Sequence, residues 1–414
     1  VTANELEPFM DLARAELEAG SGLERVLKTT LIGILCSPKF LFLHEKSIDA
    51  SSDHSSSNVA ARALSPLEYA SRMSFLLWSS QPDDELLSVA AANKLSNSER
   101  RRTQINRMLR DPRCQGFLDG FARQWLKVEG FNQFPPDERI FPSFYATEFR
   151  GLDSDLIDQP LEMIRELIRS DESVLELLDS DWTMLNERLA RYYGINGVEG
   201  DAFRRVRLSA RDAAIRGGLL GMAGIHRWGS DGSRTKPVER GKYILDVLFN
   251  DPPPPPPPNA GEVEPNLRGQ KLTVRERLSK HREQTTCNHC HRRIDPYGLA
   301  MENFNTIGLW RELEDGEKPI EQWGDERPAI DPSGKLMNGT EFEDFVEFKA
   351  AVMGQKERFV RGLTEKLLAY ALARSVEPGD RILVDAIVQR AEKENYTFRS
   401  ILTSIIESKV FRSK

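Results

Sequence analysis

Apolar residues recur every three to four positions along most of the chain, and stretches that alternate apolar and polar residues at strand length are nearly absent. After residue 62, Leu67, Ala70, Met73 and Leu77 fall on one helical face. Later runs do the same through Leu161, Ile164 and Ile168, and through Phe359, Leu363, Leu367 and Tyr370. The pattern predicts an all-α, multi-domain protein. Several helix starts are marked by a capping-box spacing, in which a side-chain oxygen and a carboxylate three residues on satisfy the first free amides: Ser65 with Glu68, Ser96 with Glu99, and Thr273 with Glu276. Asp83, Asp84 and Glu85 suit the first turn of a helix, where the dipole favours negative charge, better than a catalytic pair.

Two interruptions break the helical pattern. Residues 47–62 (SIDASSDHSSSNVAAR) are serine-rich and lack apolar anchors, which predicts a flexible linker. Residues 252–258 are seven consecutive prolines, which cannot form a helix or a central strand. A polyproline II rod of that length spans about 20 Å at roughly 3.1 Å per residue, and it reads as a stiff spacer rather than a docking peptide. The resulting division is a helical module at 1–46, the linker at 47–62, a helical domain at 63–200, a domain at 201–340 that contains the proline spacer, and a C-terminal helical domain at 341–414. A faint echo links LKTTLIGILCSPKF (27–40) with FRSILTSIIESKVF (398–411): each ends an apolar helix with Ser-x-x-Phe. Duplication and independent origin both account for it.

Composition removes several classes. The 57 Lys and Arg stand against 64 Asp and Glu, a net charge of -7, and the basic residues are interspersed with acids, so a nucleic-acid partner is disfavoured. At 414 residues, each domain has enough chain to bury a core without a metal or disulfide staple. The best membrane candidate, residues 31–43, is interrupted by Ser37, Pro38 and Lys39 and falls short of the roughly 20 apolar residues a spanning helix needs, so no transmembrane segment is expected. Its LIGILCS resembles a lipoprotein cleavage site, but Leu35 before Cys36 is too bulky. Val1 opens no charged and apolar leader, which fits either a processed chain or part of a longer polypeptide. Cys36 and Cys114 lie in apolar helical contexts and read as buried thiols.

The other two cysteines carry the chemistry. Cys287-Asn288-His289-Cys290-His291 places two thiols three residues apart, the spacing that reaches both vinyl groups of one porphyrin, with an adjacent imidazole for the iron. The motif predicts one covalent haem c on Cys287 and Cys290, with His291 as proximal ligand. A structural zinc on the same thiols with His291 and His281 is the competing reading. Thioredoxin-like redox chemistry is a weaker one, since no βαβ pattern surrounds the pair. The run Ile294-Asp295-Pro296-Tyr297-Gly298 predicts a turn directly after the attachment helix, with a carbonyl of Asp295 or Pro296 accepting a hydrogen bond from the ring of His291. Arg292, Arg293 and Arg311 suit haem propionates, although each also reads as an ordinary surface arginine.

The second axial ligand is open between His281 and Met301, ten residues before and after His291; His226, Met337 and Met353 are more distant. A histidine or methionine there makes an electron carrier, and an open position makes an iron accessible to a substrate such as peroxide. His281 also reads plainly as a propionate or backbone hydrogen-bond partner. The glycine-rich RGGLLGMAG lies on a helical run without Rossmann context and suits close helix packing. No Gly-x-Ser-x-Gly, P-loop or His-Glu-x-x-His motif occurs.

Three segments, SRTKPVERGKYILDVLFNDPPPPPPP, LSKHREQTTCNHCHRRIDPYGLAMENFNTIGLWR and IDPSGKLMNG, closely resemble the haem-bearing domain of large secreted planctomycete-type cytochrome-c-like proteins. PLEYASRMSFLLWSSQPDDELL, FARQWL and LNERLARYYGI resemble the helical domain that precedes it in that family; LTEKLLAYALARSVEPGD and ILTSIIESKVF resemble the one that follows. SPKFLFLHE is similar to a further module. The resemblance implies attachment at Cys287 and Cys290 and ligation by His291, with His281 a family-typical histidine of unassigned role. Met301 stands where the family pattern has another aliphatic residue. Covalent haem attachment takes place outside the inner membrane, so an extracytoplasmic location is expected, with a leading role in electron transfer or redox sensing and a redox partner protein. The alternatives are a haem enzyme, peroxidase-like or the acceptor module of a dehydrogenase in polysaccharide degradation, and a non-haem protein with structural zinc.

Overall fold

The structure, a computed structural model, describes residues 3–42, 62–255, 272–283, 285–314 and 327–414. The serine-rich stretch up to residue 61 and the end of the proline run from residue 256 lie outside the described residues; the first prolines, 252–255, form no regular element. The described chain is mostly helical, with two small antiparallel sheets. In one, β1 (Trp182–Leu185) pairs with β2 (Arg204–Arg207), Trp182 opposite Arg207. In the other, β3 (Gly334–Lys335) pairs with β4 (Glu341–Phe342). All four residues of β1 are buried and β2 is Arg-Arg-Val-Arg, so neither shows the alternation that betrays a half-buried strand.

The chain forms two compact units, residues 1–68 with 413–414, and residues 69–412. In the first, α1 (Ala3–Glu18) and α2 (Leu23–Leu35) make a hairpin whose turn uses Gly20 at φ +76°. Val26 is the buried residue of this pair. Leu23, Leu27, Leu31 and Ile32 are exposed. Cys36, expected to be buried, is exposed: it caps α2 at the edge of a two-helix element too thin to enclose it.

The second unit carries the main core. Helix α3 (Pro66–Trp78) starts at the expected box, Glu68 closing on the Ser65 amide at 2.7 Å, and buries Ala70, Met73 and Leu77, while Leu67 in its first turn stays half exposed. Helix α4 (Ser98–Arg110) departs from expectation. Asn97, not Ser96, is its cap, accepting from the Arg100 amide at 3.0 Å, because Ser96 belongs to a preceding 3₁₀ turn and donates to the Asn93 carbonyl. Asp83 caps its own helix as its sequence context implies. Helix α5 (Leu152–Ser170) buries Leu161, Ile164 and Ile168. The glycine-rich run packs closely as expected: a Cβ on Gly224 would meet the Leu156 carbonyl and the Phe131 ring.

Three further helices frame the candidate site: α6 (Pro237–Tyr243), α7 (Val274–Arg282) and α8 (Thr285–Leu299). Helices α6 and α8 meet backbone to backbone. A Cβ on Gly241 would collide with the Ile294 carbonyl, and one on Gly298 with the Pro237 carbonyl, so both positions require glycine. Helix α7 opens with the full capping box, the Thr273 hydroxyl accepting from the Glu276 amide at 3.1 Å and Glu276 accepting from the Thr273 amide at 2.8 Å.

The C-terminal helices α9 (Lys356–Leu372), α10 (Arg381–Lys393) and α11 (Phe398–Glu407) pack together. The echo between residues 27–40 and 398–411 extends to its termination. Ser37 accepts from the Phe40 amide at 3.3 Å, and Ser408 from the Phe411 amide at 3.1 Å. Their surroundings differ: Phe40 is 60% exposed, whereas Phe411 is fully buried against Tyr69.

Candidate functional site

Cys287, Cys290 and His291 occupy positions i, i+3 and i+4 of α8 and therefore share one helical face. Both cysteines are half-buried, and none of the four cysteines of the chain is joined in a disulfide. Asn288, His289 and Arg292, on the other positions of the same turns, are exposed.

The turn expected at Ile294-Asp295-Pro296 is not formed, since α8 runs through Pro296 to Leu299. Asp-Pro reads as a break because proline disfavours a helical residue before it and removes one ladder donor. Here the two glycine contacts between α6 and α8 hold the following turn in register. The helical path changes the partner of His291. Instead of a backbone carbonyl, the carboxylate of Asp295, one turn on, accepts from the ring: Nδ1 lies 2.8 Å from Oδ1. A carboxylate of this kind only accepts, so the ring donates through Nδ1 and the contact leaves Nε2 uncommitted. Asp295 is fully buried; among the described residues its Oδ2 has no hydrogen-bond partner, and the Arg282 guanidinium lies 3.7 Å away.

His281, near the end of α7, packs edge-on against His291 with ring centroids 4.8 Å apart and planes at 66°. Burial and the neighbouring His291 both push its pKa down from the ordinary histidine value, which favours a neutral ring. The structure thus brings His281 to His291, and it keeps Met301 apart. Eight residues of helix, about 12 Å at 1.5 Å per residue, separate His291 from the end of α8, and Met301 is buried beyond that end. The three arginines also diverge. Arg292 is exposed; Arg293 pairs with Asp251, donating to its carbonyl at 3.0 Å, and Arg358 shares the same carboxylate at 2.7 Å. Arg311 pairs with buried Glu302 at 3.2 Å and donates to its carbonyl at 3.0 Å.

Beneath the site lies a polar framework that sequence reasoning did not single out. Fully buried Arg240 donates to the carbonyls of Met301 (2.9 Å), Phe304 (2.7 Å), Asn305 (3.0 Å) and His226 (3.1 Å), and pairs with Glu302, which accepts from Thr235 at 2.6 Å. Arg216 donates to the carbonyls of Gly221 and Gly308. Between them these two guanidinium groups donate to the carbonyls of Met301, Phe304, Asn305 and Gly308 in the irregular chain that follows α8, where a continuous helical ladder is lacking. Isolated arginines in a sequence carry no sign of such a role. The partnership of His291 with Asp295 was visible as an i, i+4 spacing, but it shows only if the helix is taken through the proline.

The donor set fits a covalently attached porphyrin: two thiols on one face and an imidazole whose Nε2 is presented by a buried carboxylate. Among the described residues, no group of three or more His, Cys, Asp or Glu side chains is arranged as a preformed metal-holding cluster. No helix among them is long and apolar enough to cross a membrane.

Comparison with family models finds three consecutive matches. Residues 64–195 match a protein of unknown function, DUF1592; residues 216–314 match another, DUF1588; and residues 338–411 match a third, DUF1585. The second match contains α6, α7 and α8. No curated protein and no solved structure matches the chain.

Proposed function

From a chain that carries three planctomycete-type, cytochrome-c-associated domains of unknown function, we propose an extracytoplasmic c-type haem protein with an electron-transfer or redox role. The observation that carries this reading is the face of α8: Cys287 and Cys290 three residues apart, beside a His291 whose Nδ1 proton is held by a buried carboxylate. Cys287 and Cys290 would form the two thioether links, and His291 Nε2 would bind the iron. When bound, the haem supplies one-electron exchange at iron. His281 is the candidate for the second axial position that the fold brings near, and its neutral ring suits a ligand. Met301 lacks that support.

The chain's own contribution is rigidity. The glycine contacts between α6 and α8 and the Arg240 framework hold the donor face without relying on the group it receives. Exposed Asn288, His289 and Arg292 border it and leave it open to a redox partner. The test is a reduced-minus-oxidised optical spectrum of protein exported together with haem-maturation machinery. The expected result is the sharp visible bands of a c-type haem, lost in the Cys287→Ser, Cys290→Ser double variant. A colourless protein holding stoichiometric zinc would overturn the proposal.

A further inference from the structure

We infer that Asp295 is a positioning residue for His291, fixing Nε2 as its metal-facing nitrogen and making it a stronger electron donor than a carbonyl-bonded histidine. The inference rests on the haem reading for its redox consequence, but its structural half stands apart from it.

Three observations carry it. The contact is short and charge-assisted, Nδ1 to Oδ1 at 2.8 Å, and such a bond is roughly twice as strong as one to a neutral acceptor. The carboxylate is fully buried while the His291 side chain is 13% exposed, and it engages Nδ1, so Nε2 is the ring nitrogen left for another partner. Its second oxygen, Oδ2, has no hydrogen-bond partner among the described residues, with the Arg282 guanidinium 3.7 Å away and Arg275 acting on the carboxylate through charge. A buried carboxylate held this way is costly unless another group uses its charge. An imidazole polarised toward imidazolate is such a group. Outer partners of this type raise the basicity of a ligating histidine, and their removal commonly costs 10–100-fold in metal affinity. At an iron centre the stronger donor stabilises the oxidised state, so the structure points to a low-potential site.

Two measurements test the two halves. The first is the tautomer of His291 in the haem-free protein, read from long-range ¹H–¹⁵N correlations. Nδ1–H is expected in the wild type, and its loss is expected in Asp295→Leu, which fills similar space without an acceptor. Nε2–H in the wild type, or an unchanged tautomer in Asp295→Leu, would overturn the inference. The second is the midpoint potential of the haem-loaded protein. Asp295→Asn is expected to raise it by at least a tenfold change in the oxidised-to-reduced ratio, about 59 mV for one electron. Arg282→Gln, which removes the partial counter-charge, is expected to lower it. A shift smaller than tenfold in Asp295→Asn, or shifts of the same sign in both variants, would overturn the redox half. If the wild type takes up no haem, the functional proposal fails and the tautomer measurement alone decides the role of Asp295.

Discussion

Two histidines in the same unit show opposite uses of one side chain. His226 is fully buried, stacked on Phe304 at 3.7 Å; its Nε2 donates to the Leu220 carbonyl at 2.7 Å, and its Nδ1 has no partner among the described residues. His291 is partly exposed, and its Nδ1 donates to Asp295, which leaves Nε2 free of that contact. The two rings therefore donate through opposite nitrogens, each set by the acceptor that the fold supplies. At His226, the carbonyl partner, the aromatic stack and two flanking arginines seal a neutral ring into a load of packing. At His291, a carboxylate on one side and two thiols on the same helical face leave a nitrogen available. Histidine content alone says little about function; the partner of the first nitrogen decides what the second can do.

The largest expected effect falls on the sealed side. Arg240→Met removes a buried cation that serves four carbonyls and Glu302, and unfolding in urea should show a loss of about 3–5 kcal/mol. A loss under 1 kcal/mol would mean that the framework does not hold the region together.

Next comes pH. Burial, and then the positive charges of Arg240 and Arg216, push the pKa of His226 well below its ordinary value. The unfolded chain therefore binds the proton first. The stability that His226 contributes is complete above about pH 6.5 and falls as pH drops toward its folded value, at up to about 1.4 kcal/mol per pH unit. His226→Gln, which keeps a donor for Leu220 but does not titrate, should flatten the stability profile between pH 6.5 and 5 relative to the wild type. An unchanged profile would show that the ring is not buried and neutral.

The smallest effect on folding belongs to the open side. His281→Ala should change unfolding stability by about 1 kcal/mol or less, since the ring is only partly buried. In haem-loaded protein the same substitution should convert a low-spin spectrum to a high-spin one. A large stability loss without a spectral change would place His281 with His226, as a packing residue.

Much of this contrast was legible in the sequence, for identifiable reasons. The thiol spacing and neighbouring imidazole are local, so Cys287, Cys290 and His291 stand out before any fold is known, and the helical periodicity gave the architecture in outline. The capping box at Thr273 was legible because its partners lie three residues apart. What failed depended on distant contacts. The helix through Pro296 is held by Gly241 and Gly298 meeting carbonyls across α6 and α8, so the local rule for Asp-Pro pointed the wrong way and hid the carboxylate partner of His291. Strand β1 escaped because it is buried on both faces. Arg240 reads as an ordinary helix-surface residue until the chain from 301 to 305 folds over it.

The most direct test of the central claim is the intact mass of the denatured protein after export with haem-maturation machinery. A mass gain of one haem that survives denaturation, and is absent when Cys287 and Cys290 are replaced, is expected. An unmodified mass, with both thiols open to alkylation, would contradict it.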